Sequence, residues 1–234
     1  MSIENPSTFL DLVQRTRLEC GISGNGPSTV IDRTGLEQRL VGWVAESWRH
    51  IQSLHQDWHF LRRETTFLTQ SGKYEYSPSE CGITNGKIGK WIIESIRNFP
   101  TATGRSGEIF MTKQEYDTLR DTWLYSANLD QRTRPYVFAI NPVDHGLVLG
   151  PIPNADYTIL GQYYEAPTVL ATDTDVPNIP TPYIMAIVYK AMQKYGTYDS
   201  APEVRGRGRE EYRETMAPLQ REYMNQLHAG APLA

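Results

Sequence analysis

The amino-acid sequence predicts an α+β protein, in which helices from both ends of the chain form one bundle and an antiparallel β-rich block is inserted between them. Near both termini, apolar residues recur every three or four positions, as in amphipathic helices. In between, apolar and polar residues alternate and turn residues interrupt the pattern, which is typical of strands. The 234 residues are 39% hydrophobic, enough for a sizeable core.

The predicted organisation has a discontinuous helical core. We expect residues 1–62 and 181–228 to form this core. We expect residues 63–180 to form the β-rich insertion with one short helix, and residues 229–234 to form a loose tail.

The first predicted helix begins at Asn5 and Pro6, since asparagine is a good N-cap and proline suits the first helical position. Gly21 is expected to end it, because glycine readily adopts the left-handed conformation of a C-terminal cap. The residues that share its apolar face are Phe9, Leu12, Val13, Thr16 and Cys20.

The second predicted helix has a recognisable start. Thr34 and Glu37 have the spacing of a capping box, in which each side chain satisfies a backbone N–H of the first turn. The helix is expected to run to about Trp58. Its apolar positions are Leu36, Leu40, Val44, Trp48, Ile51, Leu54 and Trp58.

The insertion is predicted to open with a β-hairpin around Ser71 and Gly72. Asn85-Gly86 is a second turn signal. Residues 90–99, KWIIESIRNF, fit a strand better than a short helix, because isoleucine and tryptophan favour strands.

The second half of the insertion is predicted to contain one helix and an antiparallel meander. Thr112 and Glu115 are spaced as a capping box and predict a short helix over 113–125. Prolines between the following apolar segments suit the turns of a meander. The three strand candidates lie in 135–141, 145–150 and 156–167.

Two helices are predicted after a proline-rich linker. Residues 183–196 are strongly apolar, and residues 209–227 form an amphipathic segment. Pro218 is expected to kink or interrupt the last helix. The Arg-Gly segment at 205–209 is expected to be a loose lead-in to it.

Charge and cysteine content exclude several classes of protein. A formal net charge of -4 argues against a protein that grips nucleic acid along its whole surface. Cys20 and Cys81 could pair, but two small, half-buried thiols in a reducing compartment are the expected state. The sequence contains neither a signal peptide at its start nor an apolar run that could span a bilayer. We therefore expect synthesis in the cytosol and no membrane partner.

The strongest metal candidate is the pair His55 and His59, which would face the same side of a helix. A zinc-protease motif needs glutamate directly after the first histidine, and here Gln56 occupies that position. A third ligand would have to come from elsewhere, such as Asp144 or His145. The two histidines can equally be ordinary polar residues near the end of a helix, so we expect no metal.

Three further candidate sites also have simpler structural readings. The glycine-rich segment 21–26 follows a helix where a dinucleotide fingerprint requires a strand. Asp144 and His145 could be two members of a catalytic triad, but a turn between strands is more natural. Asp173 and Asp175 could hold a cation, although acidic side chains in a proline-rich loop usually contact only water.

The last helix and its lead-in form the candidate partner-binding surface. The Arg-Gly segment is similar to segments that bind single-stranded nucleic acid, but use as a charged protein contact is the preferred interpretation. We expect no catalytic residue and no cofactor. The expected partner-binding residues are Arg205, Arg207, Arg209, Tyr212, Met216, Leu219 and Tyr223.

Four stretches together resemble the head-to-tail connector, or portal adaptor, proteins of tailed bacteriophages. Their order matches this family from about residue 7 to about residue 226, and the most telling parts are residues 58–63 and 151–154. The four stretches are FLDLVQRTRLECG at 9–21, the helix-to-strand segment at 40–76, LVLGPIPNADYTILGQYYEAPTVL at 147–170 and VPNIPTPYIMAIVYKAMQKYG at 176–196.

The resemblance implies a structural, non-enzymatic role in the virion, at the head-tail junction. Such proteins form a ring, commonly of twelve subunits, which docks on the portal protein and carries tail or nozzle proteins. The ring extends the channel through which the packaged DNA passes without sequence-specific binding. A tail-completion or tail-tube protein is the alternative interpretation.

Overall fold

The computed structural model describes residues 7–83, 87–125 and 130–224, and confirms the predicted α+β class. The chain divides into two compact units, Met1–Leu61 with Pro167–Ala234 and Arg62–Ala166. Within the described residues the helices are α1 Phe9–Glu19, α2 Gly35–Leu54, α3 Tyr116–Leu119, α4 Met185–Tyr198 and α5 Pro202–Tyr223. The strands are β1 Arg62–Leu68, β2 Glu75–Tyr76, β3 Ile88–Pro100, β4 Ile109–Phe110, β5 Thr112–Lys113, β6 Val137–Ile140, β7 Leu147–Gly150 and β8 Tyr157–Glu165.

Helix α1 begins later than predicted, because a different residue caps it. The Asp11 backbone N–H donates to Thr8 Oγ1 over 3.2 Å, and the Thr8 backbone N–H donates to Asp11 Oδ2 over 3.1 Å. This is a complete capping box. The predicted cap at Asn5 and Pro6 lies outside the described residues. The predicted apolar face is buried, and Gly21 follows the helix with a φ of +70°.

Helix α2 is four residues shorter than predicted, since it ends at Leu54. Thr34 directly precedes the helix but makes no side-chain capping hydrogen bond, so the predicted capping box is wrong. At His55 the backbone becomes extended, and the chain turns back over the helix. Trp58 is thereby fully buried, and its indole Nε1 donates to the Ile51 carbonyl over 3.1 Å.

Residues 167–180 lie in the helical unit, whereas the sequence predicts them as part of the β-rich insertion. The Gln52 amide group donates to the Thr168 carbonyl over 2.9 Å and accepts from the Thr168 backbone N–H over 2.7 Å. Further along, backbone carbonyls of the segment accept from the first N–H groups of α1, which a helix itself leaves unsatisfied. The segment is therefore tied to both N-terminal helices.

Helices α4 and α5 form an antiparallel hairpin that depends on two glycines. A Cβ at Gly196 would lie only 2.8 Å from both the backbone N and the Cβ of Arg205. A Cβ at Gly208 would lie 3.0 Å from Met192 Cβ and from the Tyr189 carbonyl. Both positions are buried, so the two helix backbones approach closely because neither has a side chain there.

The predicted loose lead-in is wrong, and the last helix is not interrupted at Pro218. Residues 205–209 lie inside α5, and Gly208 in this segment is a packing residue. Pro218 also lies within the helix, which continues to Tyr223. Met216 and Leu219 are buried on either side of the proline, so packing offsets the hydrogen bond that proline removes.

The β-rich unit contains two four-stranded sheets, and the predicted hairpin around Ser71 and Gly72 is wrong. The turn exists, since Gly72 has a φ of +83° and the Lys73 N–H donates to the Gln70 carbonyl. However, β1 pairs with β8, whereas β2 pairs with β7 in the other sheet. The first sheet has the order β1-β8-β3-β4 and the second β2-β7-β6-β5. The predicted turn at Asn85-Gly86 lies outside the described residues.

The predicted strand at 90–99 is confirmed, but the meander is wrong, because only β6 and β7 pair with each other. Strand β8 lies in the first sheet, and β5 runs parallel to β6. Strands β6 and β7 of the second sheet are buried on both faces. Phe138 packs in the core shared by both sheets, and Val137 packs in a smaller core that includes Leu119 of α3. This explains why β6 and β7 are continuously apolar.

Helix α3 is only four residues long and continues as a π-helical turn over Arg120–Leu124. Thr112 lies in strand β5 and cannot cap the helix, so the predicted capping box with Glu115 is wrong. Glu115 itself precedes the helix without a side-chain capping bond. Spacing suggested a cap, but Thr112 is held in the sheet, where its N–H donates to the Tyr136 carbonyl.

Candidate partner-binding surfaces

The predicted partner-binding residues of α5 divide into buried and exposed groups. Met216 and Leu219 are 4% and 0% exposed and belong to the core of the helical unit. Tyr223 lies beside two other aromatic rings, with centroid distances of 6.0 Å to Phe60 and 6.1 Å to Tyr183. These three residues anchor the helix within its own chain, so they are less available to a partner than sequence spacing suggested.

The three arginines of the Arg-Gly segment are exposed, but they differ in their contacts. The Arg207 guanidinium donates to the Glu19 carbonyl and lies 3.1 Å from its carboxylate, so it ties α5 to the end of α1. Arg205 and Arg209 remain on the surface. Tyr212 is half-buried, and the Lys190 Nζ lies 5.1 Å from its ring centroid. Their use in partner binding stays a prediction.

A cationic groove lies between α2, α4 and α5, entirely within the helical unit. Its volume is about 520 Å³. We call it the cationic groove, and its lining residues are His50, Lys190, Gln193, Lys194, Thr197 and Arg205. Lys194 Nζ forms an ion pair with Glu46 over 2.5 Å. Within the described ranges, no ion pair involves Lys190 or Arg205.

The charges in the cationic groove repel one another. Burial lowers the pKa of Lys190 below its ordinary value, and the positive charge of Lys194 lowers it further. Burial likewise lowers the pKa of His50, with added repulsion from Lys190 and Lys194. A set of like charges that disfavour one another in the free chain is a favourable place for an anion.

The sequence analysis missed the cationic groove because its residues come from three separate helices. One signal was present, since Lys190 and Lys194 are four residues apart and share a face of α4. The contributions of His50 and Arg205 depend on how α2 and α5 pack against that face. Periodicity cannot show which faces of different helices meet.

The histidine pair does not have the predicted geometry. His55 follows the end of α2 in an extended conformation, and His59 begins a short 3₁₀ turn, so they do not share a helix face. The His55 Nε2 instead lies 3.3 Å from the amide nitrogen of Gln220. Among residues 7–83, 87–125 and 130–224, no group of three or more His, Cys, Asp or Glu side chains is arranged to hold a metal.

The glycine-rich loop encloses a side chain of its own chain. Arg17 is only 6% exposed, and its guanidinium donates to the Gly24 carbonyl. A Cβ at Gly24 or Gly26 would lie 3.2 or 3.3 Å from that guanidinium, which accounts for the glycines. The space inside the loop is therefore occupied by a cation of the protein, and the loop is not a phosphate cradle.

The aspartates identified from the sequence have structural partners. Asp144 Oδ1 accepts from the Gly146 N–H over 2.9 Å, as expected for a turn between β6 and β7. Asp173 Oδ1 accepts from the Val30 N–H over 2.5 Å. The Asp175 carboxylate accepts from Thr172 and Ala171, and these bonds lower its pKa. These three carboxylates stabilise loops.

Both cysteines are free and buried, and we expect them to be unreactive in the folded protein. Burial raises the pKa of Cys20 and of Cys81 to about 12, so almost no thiolate is present at neutral or mildly basic pH. In the unfolded chain the pKa returns to about 8.5, and the reactive thiolate becomes abundant. A thiol assay should therefore detect almost no thiol in buffer and both thiols in urea. Rapid reaction of either cysteine in buffer would contradict the buried placement.

These features define the chain as an α+β protein of two compact units, one helical and one β-rich. No helix within the described ranges is both long and apolar enough to cross a membrane. The chain belongs to the SU10 adaptor protein family, whose model matches residues 7–233. This confirms the resemblance to phage head-to-tail adaptors and makes the protein a structural component of a phage particle, which contacts other virion components. A comparison with curated proteins found no significant match.

Proposed function

We propose that this chain is the subunit of a ring of twelve copies, as the family resemblance implies, and that the ring docks on the portal of a tailed phage. The ring extends the DNA channel and provides the platform to which tail or nozzle proteins attach. The observation that carries the proposal is the family match over residues 7–233, which spans both compact units. Synthesis takes place in the host cytoplasm, before the subunit joins the virion.

A ring of identical subunits requires two different complementary surfaces on each copy. The chain offers surfaces of different chemistry. The helical unit carries the cationic groove, and both units expose large apolar side chains, among them Val169 at 60% on the helical unit and Val143 at 88% on the β-rich unit. Single exposed apolar residues are common on protein surfaces, but interaction sites also contain exposed apolar side chains.

In this proposal the N- and C-terminal helices act as one bundle that presents α5 to a partner. Arg205 and Arg209 are two of its exposed cations, and Tyr212, three residues after Arg209, supplies half-buried aromatic surface. Arginine and tyrosine are enriched where protein contacts contribute most to affinity. Met216 and Leu219 would support this surface from the core, and Arg207 would hold α5 to the end of α1.

The net charge of the chain supports a passage for DNA. With a formal net charge of -4, a ring of such subunits has no overall attraction for DNA phosphates. DNA could therefore slide through the channel without being gripped.

The test is co-sedimentation of the full chain with its cognate portal and, separately, with tail tubes. We expect rings on the portal, visible by electron microscopy, and no binding of the free subunit to tail tubes when the portal is absent. Binding to tail tubes with no affinity for the portal would overturn the proposal in favour of a tail-completion or tail-tube role.

A further inference from the structure

We propose that the cationic groove receives acidic side chains of the neighbouring copy of this chain, and so forms one half of the contact between subunits. This inference rests on the ring proposed above. It assigns a partner to a surface that neither the fold class nor the family match identifies.

The geometry of the cationic groove suits carboxylates. Lys190 and Lys194 come from α4 and Arg205 from α5, and all three line one concave space. Of these three cations, only Lys194 forms an ion pair within the described part of the chain, and its partner Glu46 is exposed. The volume of about 520 Å³ is large enough for a few side chains and too large for a single ion.

The charge balance of the chain indicates a second copy as the occupant. The three permanent cations of the cationic groove contribute +3 to a formal total of -4, so the rest of the chain carries -7. The cationic groove is therefore attracted to the remaining surface of any other copy. In a ring each subunit meets its neighbour through a different surface, which allows this pairing to repeat around the circle.

A DNA backbone is a poorer fit than a protein segment. Duplex DNA carries about one negative charge per 1.7 Å of its axis, and strong binding neutralises many phosphates in a row. The cationic groove brings together three permanent cations, and Glu46 offsets one of them. A few carboxylates at fixed positions match this arrangement better.

The first test is carbodiimide cross-linking of wild-type rings assembled on the portal from mixed ¹⁵N-labelled and unlabelled copies. We expect amide cross-links between Lys190 or Lys194 and carboxylates in peptides of mixed isotope composition, which prove contact between copies. The Lys194–Glu46 ion pair is an internal control, because its cross-link joins peptides of the same isotope. Cross-links of these lysines to portal peptides alone, or within one copy alone, would overturn the inference.

The second test is charge reversal. Lys190→Glu combined with Arg205→Glu should raise the subunit concentration needed for complete rings about tenfold or more, because like charges then face each other. The matched control is Lys87→Glu with Lys90→Glu, which makes the same change in charge at exposed positions beside and within β3. We expect the control to assemble like the wild type. Circular dichroism establishes that each variant is folded.

The outcomes separate this inference from the proposed function. If the wild type forms no ring on the portal, both are refuted. If both double variants assemble like the wild type, the inference fails while the proposed function stands. If the variant of the cationic groove assembles normally but loses affinity for a short DNA duplex in a fluorescence anisotropy assay, the cationic groove is a nucleic-acid site and the inference is refuted.

Discussion

Replacing Trp48 by alanine is expected to lower the free energy of unfolding of the helical unit by about 3–5 kcal/mol. Trp48 is 0% exposed on α2, so its removal loses apolar burial and leaves a cavity among tightly packed neighbours. The indole Nε1 also donates to Thr168 Oγ1 over 3.1 Å, so the variant loosens the segment after β8. Urea denaturation followed by far-ultraviolet circular dichroism measures the loss.

Trp43→Ala is the matched control, because it deletes the same side chain from the same helix. Trp43 is only half-buried, with its ring 6.2 Å from that of Tyr195 and 5.5 Å from that of Tyr198. We expect a clearly smaller loss there, since water can fill the vacated surface. Equal losses for the two variants, or a loss below about 1 kcal/mol for Trp48→Ala, would show that Trp48 is not a core residue.

Gly196→Ala is expected to destabilise the protein by about 1–3 kcal/mol, although alanine is a better helix former than glycine. The new Cβ would lie 2.8 Å from the Arg205 backbone N and Cβ, and 2.9 Å from the Ala201 carbonyl. These atoms are part of the backbone or fixed to it, so relief requires α4 and α5 to move apart. Thermal and urea denaturation of the full chain measure the effect.

Gly206→Ala makes the same chemical change and should have the opposite effect. Gly206 lies within α5, and a Cβ there would have no heavy atom within 4 Å. We expect a gain in stability of about 0.5–1 kcal/mol, because alanine loses less backbone entropy in a helix. If Gly196→Ala stabilised the protein as Gly206→Ala is expected to, the close approach of α4 and α5 would be refuted.

Helical periodicity was a good guide to the helices and a poor guide to their ends. The apolar face of α1 is buried as predicted, because residues three or four apart lie on the same side of any α-helix. The position of a helix end depends on which residue caps the helix and on what the following residues contact. Trp58 fits the period of α2, yet it packs back against the helix after the chain has left it.

The pairing of strands could not be predicted from the local pattern of apolar and turn residues. Gly72 does form a turn, so a hairpin was the natural expectation. The partner of β1 is β8, 90 to 102 residues away, and this pairing depends on the two sheets closing over a common core. Similarly, residues 205–209 have the composition of a flexible segment, but packing against α4 makes them helical.

Local patterns along the chain were enough to predict the α+β class, the positions of most helices and strands, and the resemblance that the family match confirmed. These properties depend on short-range periodicity and on the order of motifs. The pairing of strands, the close approach of helices at Gly196 and Gly208, and the cationic groove became visible only in the folded chain. Each of them depends on which faces of distant segments meet, because folding minimises the free energy of the whole chain rather than that of any one segment.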